Sequence, residues 1–264
     1  MKQTITFLLI PHIAVLISPL TGWQLMLFYV AVMFLTLKTL TLLMTKEMSW
    51  ANAVLYTGGW IGMNPDEFKT EAHSPHNWRS GTVSVLIGLI IFYLSLKQVD
   101  ITLRAVYLFI AMIFIFHFGL LDLNAQLWNF LGRKTKPIMN EPWKALNLAD
   151  FWGKRWNMAF RDAAHRTLFL PLKRFYGAKI AILGVFIFSG LVHEAVISLP
   201  AQGGYGGPMV YFLIQFLGLI LQKEFRLLNN RWVTWIFLII PLPLLFHKAF
   251  FLNVFIPLSN AIGG

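Results

Sequence analysis

The chain contains no cysteine among its 264 residues, which excludes disulfides, thiolate metal sites and a cysteine nucleophile. It is also poor in charge. Asp, Glu, Lys and Arg make up 12% of the residues, about half the share usual in a soluble domain. Acidic residues are the scarcer sign, 11 against 22 Lys and Arg, leaving a net charge of +11. No GxxxxGK[ST] phosphate cradle is present. The run Gly58-Gly59-Trp60-Ile61-Gly62-Met63-Asn64-Pro65 and the run Gly203-Gly204-Tyr205-Gly206-Gly207-Pro208 read as turns. No internal repeat appears, which speaks against a transporter built from repeated halves. The first apolar stretch follows Lys2 without a small-x-small cleavage site and runs into a second one. It therefore reads as a membrane helix, not a removable signal.

What is abundant is apolar. Hydrophobic residues reach 57%, with 24 Phe and 10 Trp, a composition for lipid-facing and interfacial positions. About 20 apolar residues cross a bilayer. By that measure spans are expected near 4–20, 22–44, 81–96, 104–121, 179–198, 207–221 and 232–249, with a tight turn at Thr21-Gly22. The expected fold is all-α: a polytopic transmembrane bundle of about seven spans with added interfacial helices, forming one membrane-embedded domain over 1–264. Pro11, Pro241 and Pro243 fall inside apolar runs and should kink or break them.

The basic residues cluster between spans, so they point to headgroups, inward loops or a phosphate-bearing substrate and not to nucleic acid. Region 122–178 carries ten of them, and 222–231 adds Lys223, Arg226 and Arg231, whereas 199–206 has none. Retention of Lys and Arg on the cytoplasmic side gives an N-in chain with 45–80, 122–178 and 222–231 inside. A connection as long as 122–178 should hold structure of its own, expected as amphipathic surface helices.

Two stretches carry chemistry. In Ser189-Gly190-Leu191-Val192-His193-Glu194, a histidine and a glutamate sit inside an apolar run, where ionisable groups are functional candidates. A neutral imidazole can take a proton from a hydroxyl; the alternative is a histidine bonded to a neighbouring helix. The second stretch is Asp150-Phe151-Trp152-Gly153-Lys154-Arg155-Trp156-Asn157, followed by Arg161, His165 and Arg166. Aromatic and basic residues alternating in this way suit an interfacial segment. The same cations match phosphate oxygens, and the Asn157 amide can hydrogen-bond a carbonyl or hydroxyl. His12, His117 and His247 also lie in or beside apolar runs, which keeps a haem-binding reading open beside that of a non-catalytic membrane protein.

Together the two stretches resemble the membrane-bound O-acyltransferases, in particular the wax-synthase-like branch. The similarity is strongest over about 145–200, and Trp60 to Phe68 resembles a further upstream motif of bacterial members. The resemblance implies transfer of an acyl group from acyl-CoA, as co-substrate, to the hydroxyl of a lipid or alcohol, with no cofactor and no metal. It maps the family's catalytic histidine onto His193 and its asparagine onto Asn157. Trp152, Lys154, Arg155, Trp156, Arg161, Arg166 and Glu194 are the expected substrate-binding residues, the cations by extrapolation from charge. The expected location is a multi-pass protein of the bacterial inner membrane. One tension arises from depth. His193 lies 14 residues past Lys179, about 21 Å along a helix, while Asn157 is expected near the cytoplasmic face.

Overall fold

The computed structural model describes residues 11–15, 17–69, 71 and 77–263. The described residues are all-α, with no strand among them and one isolated bridge between Glu71 and Arg133. The principal helices are α1 Gly22–Leu43, α2 Trp50–Gly59, α3 Trp78–Leu96, α4 Ile101–Phe130, α5 Met158–Ala201, α6 Gly207–Glu224, α7 Arg231–Leu245 and α8 Lys248–Ile262. Their starts follow the local sequence: Ser49, Asn77, Asp100 and Asn230 each accept a backbone N–H from the first turn of the helix they precede.

Four of these helices, α1, α3, α4 and α5, are long and apolar enough to cross a membrane, and the α7–α8 pair makes a fifth if counted as one broken span. The chain is thus an integral membrane protein, and the described residues show four or five of the expected seven or so spans. The span expected at 4–20 lies largely outside the described residues. Helix α6 occupies the expected 207–221 place, but its polar tail Gln222-Lys223-Glu224 keeps it out of the spanning group. The breaks foreseen from Pro241 and Pro243 are present: α7 is interrupted at Ile240-Pro241, and α7 and α8 are bent by 58°.

The long connection expected over 122–178 is shorter than its sequence suggests. Helix α4 runs on to Phe130 because Asp122, Gln126 and Asn129 are buried against protein instead of leaving the helix for water. Asn129 Oδ1 accepts from Thr135, and Gln126 Oε1 caps Asn77 N–H. At its far end the connection becomes helical at Met158, as expected. Helix α5 is kinked where Gly177 has φ 80° and ψ 172°, a conformation essentially reserved for glycine. It therefore consists of an amphipathic first part and a membrane part, residues 178–201.

The main core gathers α4, α5, α6 and α8 around Leu108, Phe186, Tyr211, Phe212, Phe250 and Phe255. The chain departs from regular α-helix at five π-helical stretches: Ile113–Leu120, Phe151–Arg155, His165–Phe169, Glu194–Ser198 and Phe251–Phe255. Such turns recur at functional sites, and here two of them coincide with the sequence motifs.

Candidate active site

His193 stands at the end of the regular α-helical part of α5, immediately before a π-helical stretch. Its Nδ1 lies 2.7 Å from the carbonyl oxygen of Ser189, one turn earlier. A carbonyl only accepts, so Nδ1 carries the proton and Nε2 presents its lone pair. The imidazole packs on Phe212 of α6, ring centres 4.6 Å apart. The short motif around it is explained by how α5 and α6 meet. A Cβ on Gly190 would lie 3.0 Å from Met209 Cα and 2.7 Å from its sulfur, so only glycine lets the two helices approach this closely. Glu194 Oε1 then accepts the backbone N–H groups of Gly206 (2.9 Å) and Met209 (3.1 Å). It is the carboxylate that closes the N-terminal end of α6, while its second oxygen, Oε2, is buried without a partner.

The second motif packs against the same two helices. The Trp152 ring packs against Phe151 (4.9 Å), Phe186 of α5 (6.2 Å) and Phe212 of α6 (5.7 Å). Phe186 precedes His193 by seven residues on one face of α5, about 10 Å along the axis. The motif thus comes about halfway down to His193, which narrows the depth gap the sequence suggested. Trp156 is stacked between Phe151 (5.5 Å) and His117 (6.3 Å). Asn157 takes the left-handed backbone at φ 43° that asparagine tolerates, and its Oδ1 caps α5 by accepting from Phe160 N–H at 3.1 Å. Among the described residues no contact joins Asn157 to His193; the nearest link is Phe160 stacked on Phe188 at 5.7 Å.

The four expected phosphate-facing cations divide into two pairs. Lys154 and Arg161 line a cavity of about 280 Å³, with Lys136, Glu67 and Asp162 in the same wall. Its rim forms because strand-like exchanges tie 138–140 to 154–158: Asn140 N–H donates to Arg155 O at 2.8 Å and Met158 N–H to Ile138 O at 2.9 Å. Arg155 and Arg166 are turned elsewhere. Arg155 binds Asp150 at 2.7 Å. Partial burial works against ionisation of Asp150, but the hydrogen bonds from Arg155 and the Leu146 N–H outweigh it and hold its carboxyl below the usual range. Arg166 pairs with Asp66 and Asn64, tying the Trp60–Phe68 stretch to α5.

Sequence reasoning missed two groups. Lys38, fully buried in α1, donates to Tyr56 O (2.8 Å) and Gly62 O (2.6 Å) and lies 3.5 Å from the Tyr56 ring centre. It fixes the Trp60–Gly62 turn that forms one wall of the cavity, and burial pushes the neighbouring Tyr56 hydroxyl up to about 12. Gln215, fully buried one turn after Phe212, donates to Phe237 O at 2.7 Å and has no partner for its Oε1. Each is a polar residue inside an apolar run, the same signal that singled out His193. The remaining histidines are used separately: His12 bonds Thr36, and His247 bonds Ser198 and Phe250 N–H. No contact joins any two histidines among the described residues, so the haem reading gains no facing pair.

Residues 135–214 match the Membrane bound O-acyl transferase family, a span that holds the aromatic-basic motif, His193 and Phe212. The resemblance expected from the two motifs is thereby borne out, and the relatives are chiefly of the wax-synthase-like kind. The chain is 35% identical over 83 residues to probable long-chain-alcohol O-fatty-acyltransferase 1 of Arabidopsis thaliana, covering 28% of this chain and 24% of that protein. It is 28% identical over 152 residues to the long-chain-alcohol O-fatty-acyltransferase of Simmondsia chinensis, covering 49% and 43%. It is 26% identical over 190 residues to acyl-CoA–sterol O-acyltransferase 1 of Arabidopsis thaliana, covering 65% and 54%. The chain thus spans from about a quarter to about half the length of these curated relatives. All three are plant proteins and give no support to a bacterial inner membrane.

Proposed function

We propose that the protein is a membrane O-acyltransferase that moves an acyl group from acyl-CoA to the hydroxyl of a lipid or alcohol. The observation that carries this reading is His193. Its Nδ1 proton is committed to Ser189 O, which leaves the Nε2 lone pair free, and its ring packs on Phe212 at the apolar seam between α5 and α6, which is assigned here as the acyl groove. A base so placed takes the proton of an acceptor hydroxyl as the oxygen attacks the thioester carbonyl. The expelled thiolate is then protonated by the imidazolium. The apolar walls formed by Phe186 and Phe212 suit an acyl chain and a water-poor reaction.

The donor's polar end is assigned to the cavity lined by Lys136, Lys154 and Arg161. Its cationic side chains complement the phosphates of CoA, and its position next to the motif carrying Trp152 leads toward the groove. Asn157 contributes its free amide N–H groups to the path between cavity and groove, because its oxygen is engaged in the helix cap. Arg155 and Arg166 support the site by holding Asp150 and Asp66. In the membrane the basic connections face the cytoplasm with the N-terminus inside, so the donor enters from the cytoplasmic side. The relatives' names include both long-chain alcohols and a sterol as acceptors, and a hydrophobic alcohol is the class proposed here.

The test is incubation of membranes containing the protein with labelled acyl-CoA and a panel of fatty alcohols and sterols. Ester formation dependent on His193 is expected. Failure to form an ester with every acceptor, or full activity in His193→Ala, removes the reading.

A further inference from the structure

We infer that the indole N–H of Trp152 donates a hydrogen bond to the acyl carbonyl oxygen during transfer, an inference that rests on the acyltransferase reading above. Trp152 Nε1 is buried and has no hydrogen-bond partner. An indole nitrogen can only donate, and leaving it buried and unpaired is unfavourable because its hydration is lost and nothing replaces it. Nothing in the immediate packing offers an acceptor. The ring's neighbours are the apolar rings of Phe151, Phe186 and Phe212.

The place of this unused donor gives it meaning. Phe186 and Phe212 lie on the α5–α6 seam proposed above as the acyl groove, and His193 lies on the same seam. His193 follows Phe186 on one helix face and packs on Phe212 itself. Other buried groups that can donate and have no partner include Arg161 Nε at the cavity, Trp60 Nε1 beside Lys38, His117 Nδ1 and the hydroxyls of Ser18 and Ser259. Of these donors, Trp152 is the one with a ring contact to the Phe212 on which His193 packs. A lone pair on His193 and an unused N–H on Trp152 are thus held against one ring, and these are the two kinds of polar group that addition of a hydroxyl to a carbonyl requires.

The step balances with these two groups. The acceptor oxygen bonds to the carbonyl carbon while its proton passes to His193 Nε2. The π-electron pair of the C=O moves onto oxygen, where Trp152 N–H meets the developing negative charge. Collapse restores the C=O and breaks the C–S bond, and the thiolate sulfur takes the proton back from His193. The ester and the free thiol leave, and both protein groups return to their starting states.

The experiment replaces Trp152 in the full-length protein in membranes by Phe, by Leu and by benzothienylalanine, an isostere whose ring carries sulfur where indole carries N–H. The isostere and Trp152→Phe are expected to keep the fold and the acyl-CoA KM while kcat falls by about 10²–10³-fold, as for loss of an oxyanion donor. Trp152→Leu should lose stability as well, through lost packing. An isostere with wild-type kcat overturns the donor role and leaves Trp152 a packing residue. A wild-type protein that forms no ester from any acyl-CoA and alcohol overturns the transfer reading and the donor role with it. An active wild type matched by its isostere overturns the donor role alone.

Discussion

Trp152 and His193, forty-one residues apart in sequence, pack on the same ring, that of Phe212. One comes from the aromatic-basic segment and the other from a membrane helix, and Phe212 belongs to a third element, so this cluster forms only when all three assemble. Phe212 is 2% exposed. Its replacement by Ala should destabilise the protein by about 3–5 kcal/mol and reduce acyl transfer. Phe212→Leu, which keeps most of the volume, should recover the stability and part of the activity. Thermal unfolding in detergent and ester formation measured on the same samples separate the two effects.

Glu194 should prove to be a matter of stability more than of substrate affinity. Removing its carboxylate in Glu194→Ala releases two backbone N–H groups at the start of α6, at about 1.5–3 kcal/mol for hydrogen bonds to a charged group. Glu194→Gln keeps an acceptor oxygen and should be milder. The expected pattern is a lower melting temperature with KM for both substrates unchanged; a raised KM at full stability would place Glu194 at the substrate.

The Asp150–Arg155 pair predicts an acid limb. The carboxyl of Asp150 is held below its ordinary value, so its stabilising contribution is complete above the unfolded pKa of about 4 and is lost as pH falls through the folded one. Below about pH 4 the stretch 138–158 should become cleavable by an acid protease. Asp150→Asn should be cleavable on both sides of that pH, with no acid limb left to observe.

Lys154 and Arg161 are expected to act on donor affinity. Exchange of both for Ala should raise the KM for acyl-CoA about tenfold or more, from the loss of charge-assisted hydrogen bonds, and flatten its dependence on salt. Transfer from a short thioester lacking the nucleotide should be unaffected. Equal losses with both donors would move the phosphates out of the cavity.

Much of this architecture was legible because apolar runs, prolines and intramembrane polar residues carry their meaning locally. The spans at α1, α3, α4 and α5, the interruption at Pro241 and the placing of His193 inside an apolar helix follow from residues close together in the chain. What was hidden depends on partners distant in sequence. Glu194 caps a helix whose N-cap, Gly206, lies twelve residues later, and Lys38 serves carbonyl groups beyond the end of its own helix. Asp122, Gln126 and Asn129 read as a departure into water until their buried partners are seen. Charge showed that Lys154, Arg155, Arg161 and Arg166 belong near one another, but not that Lys154 and Arg161 would line a cavity, or that the three arginines would each pair with an aspartate. Depth was overestimated because an interfacial origin does not limit how far a tryptophan reaches.

The corner at Gly177 sets the vertical position of the chemistry. Forty-four residues of straight helix would be about 66 Å long, more than twice the roughly 30 Å hydrocarbon layer. The left-handed glycine cuts that length so that residues 178–201, about 36 Å, match the layer. His193 stands sixteen residues beyond the corner, about 24 Å in. The exposed Lys173, Arg174, Phe175 and Tyr176 just before it are of the kinds that settle where lipid meets water. The corner and its anchors therefore act as a depth gauge: the lipid surface holds one end, helix rise fixes the distance, and the imidazole is delivered to one level of the bilayer.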